Sequence, residues 1–116
     1  MMIYAKVMQY EVYWCDFPII ANGVVGGRRP CIVISNNKEA TNCDNIMVIP
    51  TTTNIKRTDL PCNVLVNVQG HKKSIAMCNQ IRSVPKTWLR DYIGRLTPSE
   101  IRSIQVGLMI ELGIIS

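Results

Sequence analysis

The segment Gly26-Gly27-Arg28-Arg29-Pro30 runs directly into the apolar stretch Cys31-Ile32-Val33-Ile34 and then Ser35-Asn36. These residue types suit contact with an anion. Glycine admits positive φ and lets the backbone lie close to a ligand. Pro30 fixes φ where a β-branched, buried strand begins. Two guanidiniums are thereby expected at a rigid corner at the head of a strand. The planar fork of arginine grips phosphate through paired, charge-assisted hydrogen bonds, which suits it to that ligand. An ordinary surface turn with solvated arginines would use the same residues, so this segment alone leaves both readings open.

Composition bounds the partner. A chain of 116 residues is sized for one domain, 1–116, with a modest core that oligomerisation would help to stabilise. Apolar residues make up 47% and charged residues 18%, which excludes a disordered chain and predicts more apolar surface than one small core hides. The formal net charge is +5, and the basic residues (Arg28, Arg29, Lys56, Arg57, Lys72, Lys73, Arg82, Lys86, Arg90, Arg95) are strung along the chain. That balance favours a polyanion. The five cysteines, Cys15, Cys31, Cys43, Cys62 and Cys78, contain no Cys-x-x-Cys pair, and His71 is the single histidine. No zinc-ligand spacing results, so no metal and no cofactor are expected. Several of these cysteines lie in apolar runs and read as small core residues in a reduced, cytosolic setting. Residues 1–8 are too short and interrupted for a signal sequence, and no apolar run approaches a membrane span. A soluble intracellular protein with no membrane partner is expected.

The elements that must position the arginines are mostly strands. Glu11 to Phe17 is β-branched and aromatic and is closed by Pro18; a polar, glycine-containing loop covers 21–29. Strand signals recur at 31–35, 46–49, 62–68 and 75–78, with a hairpin tip at Gln69-Gly70-His71-Lys72 that puts His71 in solvent. A short turn at 86–89 and a strand at 92–95 precede one clear helix. Thr97, Pro98 and Glu100 form its capping box; Ile101, Ile104, Leu108 and Leu112 line one face, and Gly113 ends it. The pattern predicts a small, coiled antiparallel barrel with helical additions.

With those elements placed, the chain resembles the MazF/PemK family of toxin endoribonucleases from type II toxin–antitoxin systems. The resemblance rests on Glu11-Val12-Tyr13-Trp14-Cys15-Asp16-Phe17, on Gly27-Arg28-Arg29-Pro30 with Val33-Ile34-Ser35-Asn36, and on Val48-Ile49-Pro50-Thr51-Thr52. It continues through Leu60-Pro61, Ile75-Ala76-Met77-Cys78-Asn79-Gln80-Ile81-Arg82-Ser83 and Ile93-Gly94-Arg95-Leu96-Thr97-Pro98. It implies a mainly β, SH3-like small antiparallel barrel with a C-terminal helix, of the CcdB/MazF/PemK type. It also implies a bacterial cytoplasmic homodimer that cleaves single-stranded RNA at short motifs without a metal, leaving 2′,3′-cyclic phosphate and 5′-hydroxyl ends. The implied partner is a cognate antitoxin with an acidic, amphipathic C-terminal segment, and operator DNA is reached only through the antitoxin complex.

Carried over residue by residue, the resemblance makes Arg29 and Thr52 catalytic, with Arg28, Thr51 and Thr53 one position away as alternatives. Arg28, Thr53, Gln80, Arg82 and Asn79 become substrate contacts. Two departures stand out. Met77 and Asn79 flank Cys78 where the plasmid-borne branch has a catalytic Arg and Asp, and Asn22-Gly23-Val24-Val25 carries no carboxylate in a loop that often has one. The group that takes the 2′ proton has no candidate. Two other functions share the fold or the charge: a gyrase-poisoning toxin of the CcdB branch and a non-enzymatic nucleic-acid-binding barrel. The tail Leu112-Gly113-Ile114-Ile115-Ser116 lacks the tryptophan of the former.

Overall fold

A computed structural model describes residues 6–19, 26–54, 60–67 and 73–116. Seven strands form one antiparallel sheet: β1 (Glu11–Phe17), β2 (Gly27–Val33), β3 (Asn45–Thr52), β4 (Asn63–Val66), β5 (Ser74–Met77), β6 (Arg82–Pro85) and β7 (Leu89–Arg95). Helix α1 (Asn37–Asn42) joins β2 to β3, and α2 (Pro98–Glu111) closes the chain. The strand order is β4-β5-β3-β2-β1-β7, with β6 also on β3. The mainly β fold with a C-terminal helix is as expected, but the sheet is open, not a closed ring. Strand β3 serves two partners along one edge. Asn45 to Val48 pair with β6, and Thr51 and Thr52 pair with β5. A 3₁₀ turn, Cys78–Gln80, bends the chain between those two partners.

The central strands are buried on both faces, which is why 31–34 reads as an unbroken apolar run and not as an alternation. One face contributes Cys15, Cys31, Val33 and Val48 to a core completed by Ile46, Val84, Leu89 and Ala40 of α1. The other contributes Val12, Ile32 and Ile49 to a second core, covered by Val64, Val66, Ala76 and Ile104 of α2. Both bonds of the predicted capping box form: Thr97 N–H to Glu100 Oε1 at 2.9 Å and Glu100 N–H to Thr97 Oγ1 at 3.2 Å. Ile101 and Leu108 pack against the second core, whereas Leu112 lies past the helix end and is exposed.

Other expectations need correction. Strand β2 begins at Gly27, so Arg28, Arg29 and Pro30 belong to a strand, paired with Asp16, Cys15 and Trp14, and not to the preceding loop. Helix α1 was not expected, although Asn36 caps it by accepting the Glu39 N–H at 3.0 Å. Strand β6 was also not expected; its Ser-Val-Pro composition has little β signature, and pairing with β3 creates it. Cys15, Cys31 and Cys78 are buried as expected of core residues, Cys62 is partly buried, and Cys43 at the end of α1 is exposed. The hairpin tip with His71 and the stretch Asn22 to Val25 lie outside the described residues.

Candidate active site

A cleft opens where the sheet parts. The ladder between β2 and β3 stops at Cys31 opposite Pro50, and the next residue of β2 is Pro30. Proline has no N–H to give a ladder. Beyond this point β2 continues against β1 alone and β3 against β5, so the two strands separate. The gap, of about 410 Å³, is lined by Trp14, Arg28, Arg29, Pro30, Thr51, Thr52 and Thr53. Continuing the register by two residues sets Arg29 across from Thr52.

Arg29 is held before any ligand arrives. Its Nε and Nη2 donate to the Gly26 carbonyl at 3.0 and 2.8 Å, and its Nη1 donates to the Thr51 carbonyl at 3.1 Å. A guanidinium has five N–H donors. Three are directed to these carbonyls, which leaves one on each terminal nitrogen for an anion in the cleft. The two glycines fit this arrangement. Gly27 has φ 84°, and a Cβ on Gly26 would stand 2.6 Å from the Pro18 carbonyl oxygen, too close for any side chain. Partial burial, and after it the Arg82 guanidinium, holds Arg29 below the ordinary arginine pKa.

The two adjacent threonines do different things. Thr51 is buried, and its hydroxyl donates to the Pro30 carbonyl at 2.9 Å, bridging the parted strands. Its proton is already used. Thr52 is half-buried, and its Oγ1 accepts the Asn54 N–H at 3.1 Å. Accepting that bond leaves the Thr52 O–H to donate elsewhere.

Of the residues proposed from sequence, Arg28, Arg29, Thr52 and Thr53 share the cleft; Asn79, Gln80 and Arg82 do not line it. Arg28 turns its fork to Asp16, with Nε to Oδ1 at 2.7 Å and Nη2 to Oδ2 at 3.3 Å. The Arg28 bond, more than any other contact, holds the Asp16 carboxyl below its usual range. Asn79 is exposed and Gln80 half-buried on the 3₁₀ turn. Arg82 lies over the Phe17 ring, 4.2 Å from its centroid, close enough for its charge to act on Arg29. Trp14 is a wall residue that the sequence reading passed over; as the partner of Pro30 it lies beside the Arg-Arg-Pro motif. Among the described residues no three His, Cys, Asp or Glu side chains converge as a metal site. A larger hollow, about 610 Å³, lies between β4 and α2 and is walled by Leu65, Arg102, Val106 and Ile110; it contains none of the proposed catalytic groups.

Comparison with known proteins identifies the class and then the family. The fold is that of solved toxin structures. MazF from Deinococcus radiodurans matches with a TM-score of 0.81 at 19% identity, over 93% of this chain and 97% of that one. A Mycobacterial endoribonuclease in complex with its cognate antitoxin matches with a TM-score of 0.79 at 24% identity, over 95% and 98%. Residues 8–112 match the model of the PemK-like, MazF-like toxins of type II toxin–antitoxin systems, and this chain belongs to that family. Endoribonuclease EndoA of Bacillus subtilis (strain 168) is 27% identical over 112 residues, 94% of this chain and 97% of its own length.

Proposed function

We propose that this chain is a metal-independent endoribonuclease toxin whose cleavage of single-stranded RNA is carried by Arg29 and Thr52. One observation supports the assignment above others. The Arg29 fork and the Thr52 hydroxyl face one cleft, each fixed by backbone contacts that leave donors for a phosphate. The ribose 2′-oxygen attacks the adjacent phosphorus, and the bond to the 5′-oxygen of the next nucleotide breaks. The products are a 2′,3′-cyclic phosphate and a 5′-hydroxyl. Charge builds on the equatorial oxygens of the phosphorane, where preorganised donors act without having to reorganise. Thr52 holds the same phosphate in line for attack. What Arg29 and Thr52 contribute to the rate is electrostatics and positioning. Trp14 offers a flat ring for a base in an unstacked strand. Arg28, Thr53, Gln80, Arg82 and Asn79 remain proposed substrate contacts, the last three from outside the cleft.

The finer partner assignments belong to the same reading. Leu65 of β4 and Val106 of α2 are exposed beside one hollow, and Leu112, Ile114 and Ile115 of the tail are exposed too; such apolar surface would suit a second copy of the chain. An acidic, amphipathic antitoxin segment would fold over the arginines and compete with RNA, and operator DNA would be bound through that complex. The chain would act as one unit, 1–116, in the bacterial cytoplasm. Primer extension on a long RNA treated with purified protein in EDTA is the test. Cleavage at discrete sites with 5′-hydroxyl ends is expected. Binding without cleavage would instead favour the non-enzymatic barrel, and inhibition of gyrase without cleavage the CcdB-type toxin.

A further inference from the structure

We infer that Arg90, coupled through Asp16 to Arg28, forms a second phosphate-binding site beside the cleft, so that the RNA backbone runs from Arg29 past Arg28 onto β7. The inference rests on the RNA-cleaving reading above and extends it to a residue outside the cleft.

The Asp16 carboxylate is shared. Its Oδ1 takes Arg28 Nε at 2.7 Å, and its Oδ2 takes Arg90 Nε at 2.7 Å. Arg90 is tied down further, for its Nη1 donates to the Thr87 carbonyl at 2.7 Å and the Leu89 carbonyl at 3.2 Å. Nε and Nη1 are thus committed, and the Nη2 amino group keeps its donors for a ligand. These bonds hold side chains that are exposed, 41% for Arg90 and 60% for Arg28. Exposed arginines ordinarily give up considerable rotamer freedom on gripping an anion; here that freedom is already lost. The Asp16 carboxylate fixes both guanidiniums, and Asp91 also acts on Arg28, so what the cluster offers an anion is oriented N–H donors and not surplus charge. Arg28 lines the cleft and Arg90 does not, so together they lead outward from it. With its fork turned to Asp16, Arg28 keeps its Nη1 donors, and Arg90 keeps those of Nη2; oriented donors at neighbouring positions suit successive phosphates of one extended strand.

The test is salt dependence of binding. The probe is a 2′-O-methyl oligonucleotide with a sequence that wild-type protein cleaves as RNA; it lacks the free 2′-hydroxyl and cannot be cut. Each phosphate contact on a single strand contributes about 0.7 to the slope of log affinity against log salt. Arg90→Gln should reduce the slope by about that amount, equivalent to a factor of about 2.6 across a fourfold change in salt. Arg90→Lys keeps the charge and should keep most of the slope while binding more weakly. Lys38→Gln, in α1 beyond the far end of β2, removes an equal charge and should leave the slope unchanged. An unaltered slope in Arg90→Gln would overturn the inference, and so would an equal fall in Lys38→Gln, which would reduce the effect to net charge. A lower melting temperature in Arg90→Gln with an unchanged slope would assign Arg90 to holding the 87–89 turn. If wild-type protein cut no RNA at all, the proposed function would fail first and take this inference with it.

Discussion

Replacing Thr51 and Thr52 separately by valine should produce two different defects, because their hydroxyls have opposite roles. Valine matches threonine in shape and removes only the hydroxyl chemistry. At Thr51, 2% exposed, the change deletes a 2.9 Å bond and leaves the buried Pro30 carbonyl without that donor. An unsatisfied buried group costs about 1–3 kcal/mol. For a domain of this size that lowers the melting temperature by about 4–12 °C. Thr51 offers no proton to the substrate, so cleavage at 20 °C should fall only modestly. At Thr52 the lost bond to Asn54 N–H is at an exposed turn and should change stability by no more than about 0.5 kcal/mol. In the proposed mechanism the lost donor acts on the phosphorane, and removing one such donor reduces a rate about a hundredfold or more. Thermal melts at fixed protein concentration, paired with single-turnover cleavage of a short RNA, read both effects. A Thr51→Val protein that melts normally and cannot cleave, beside a Thr52→Val protein that cleaves normally, would refute the one-residue assignment.

Arg29→Ala should reduce cleavage about a hundredfold or more, and Arg29→Lys nearly as much, because an ammonium cannot span Gly26 O, Thr51 O and a phosphate together; wild-type turnover in the alanine variant, measured on the same RNA, would exclude the role. Gly26→Ala should impair cleavage without touching substrate, since the new Cβ displaces the carbonyl that anchors Arg29; a crystal structure with Arg29 unmoved would contradict this. Alkali should destabilise the fold. Burial raises the Cys31 thiol well above its ordinary value and Cys78 to about 12. Their contribution is complete below about pH 8.5, where the unfolded thiols begin to ionise, and is lost toward the folded pKa at about 1.4 kcal/mol per pH unit for each group. Urea midpoints in reductant should be flat from pH 6 to 8 and fall by pH 10. Iodoacetamide on native protein at pH 8 should label Cys43 first and reach Cys15, Cys31 and Cys78 only after unfolding, as peptide mapping would show.

The elements most readable from sequence were those whose own residues specify them. Glu11 to Phe17 carries β-branched and aromatic side chains, and Thr97, Pro98 and Glu100 announce a helix start, so β1 and the start of α2 stand where expected. Arg28 to Pro30 carry no strand signature; they lie in a strand because β1 supplies the partner, a property of the neighbour and not of the segment. The same holds for β6. Helix α1 is hidden for another reason: its cap at Asn36 and Glu39 is visible, but five polar residues and the single apolar Ala40 show no apolar periodicity. Residue type points to the Arg28-Arg29 pair as an anion grip, but choosing Arg29 within it, and Thr52, came by resemblance, and the choice between Thr51 and Thr52 depends on which hydroxyl meets Pro30. Register decides that, and residue type does not.

The parting of β2 from β3 at two prolines bears on kinetics. Missing N–H groups cannot be restored, so the strands cannot zip shut when the cleft is empty and need not be pried apart when RNA arrives. The free chain already holds the open form, and no minor population has to be selected first. Capture should then proceed at the pace of diffusion and charge attraction, with association rates that rise steeply as salt falls and show no saturating, concentration-independent step. If an antitoxin covers the cleft as proposed, what limits the toxin in a cell is whether the gap is already occupied, and not whether it has opened.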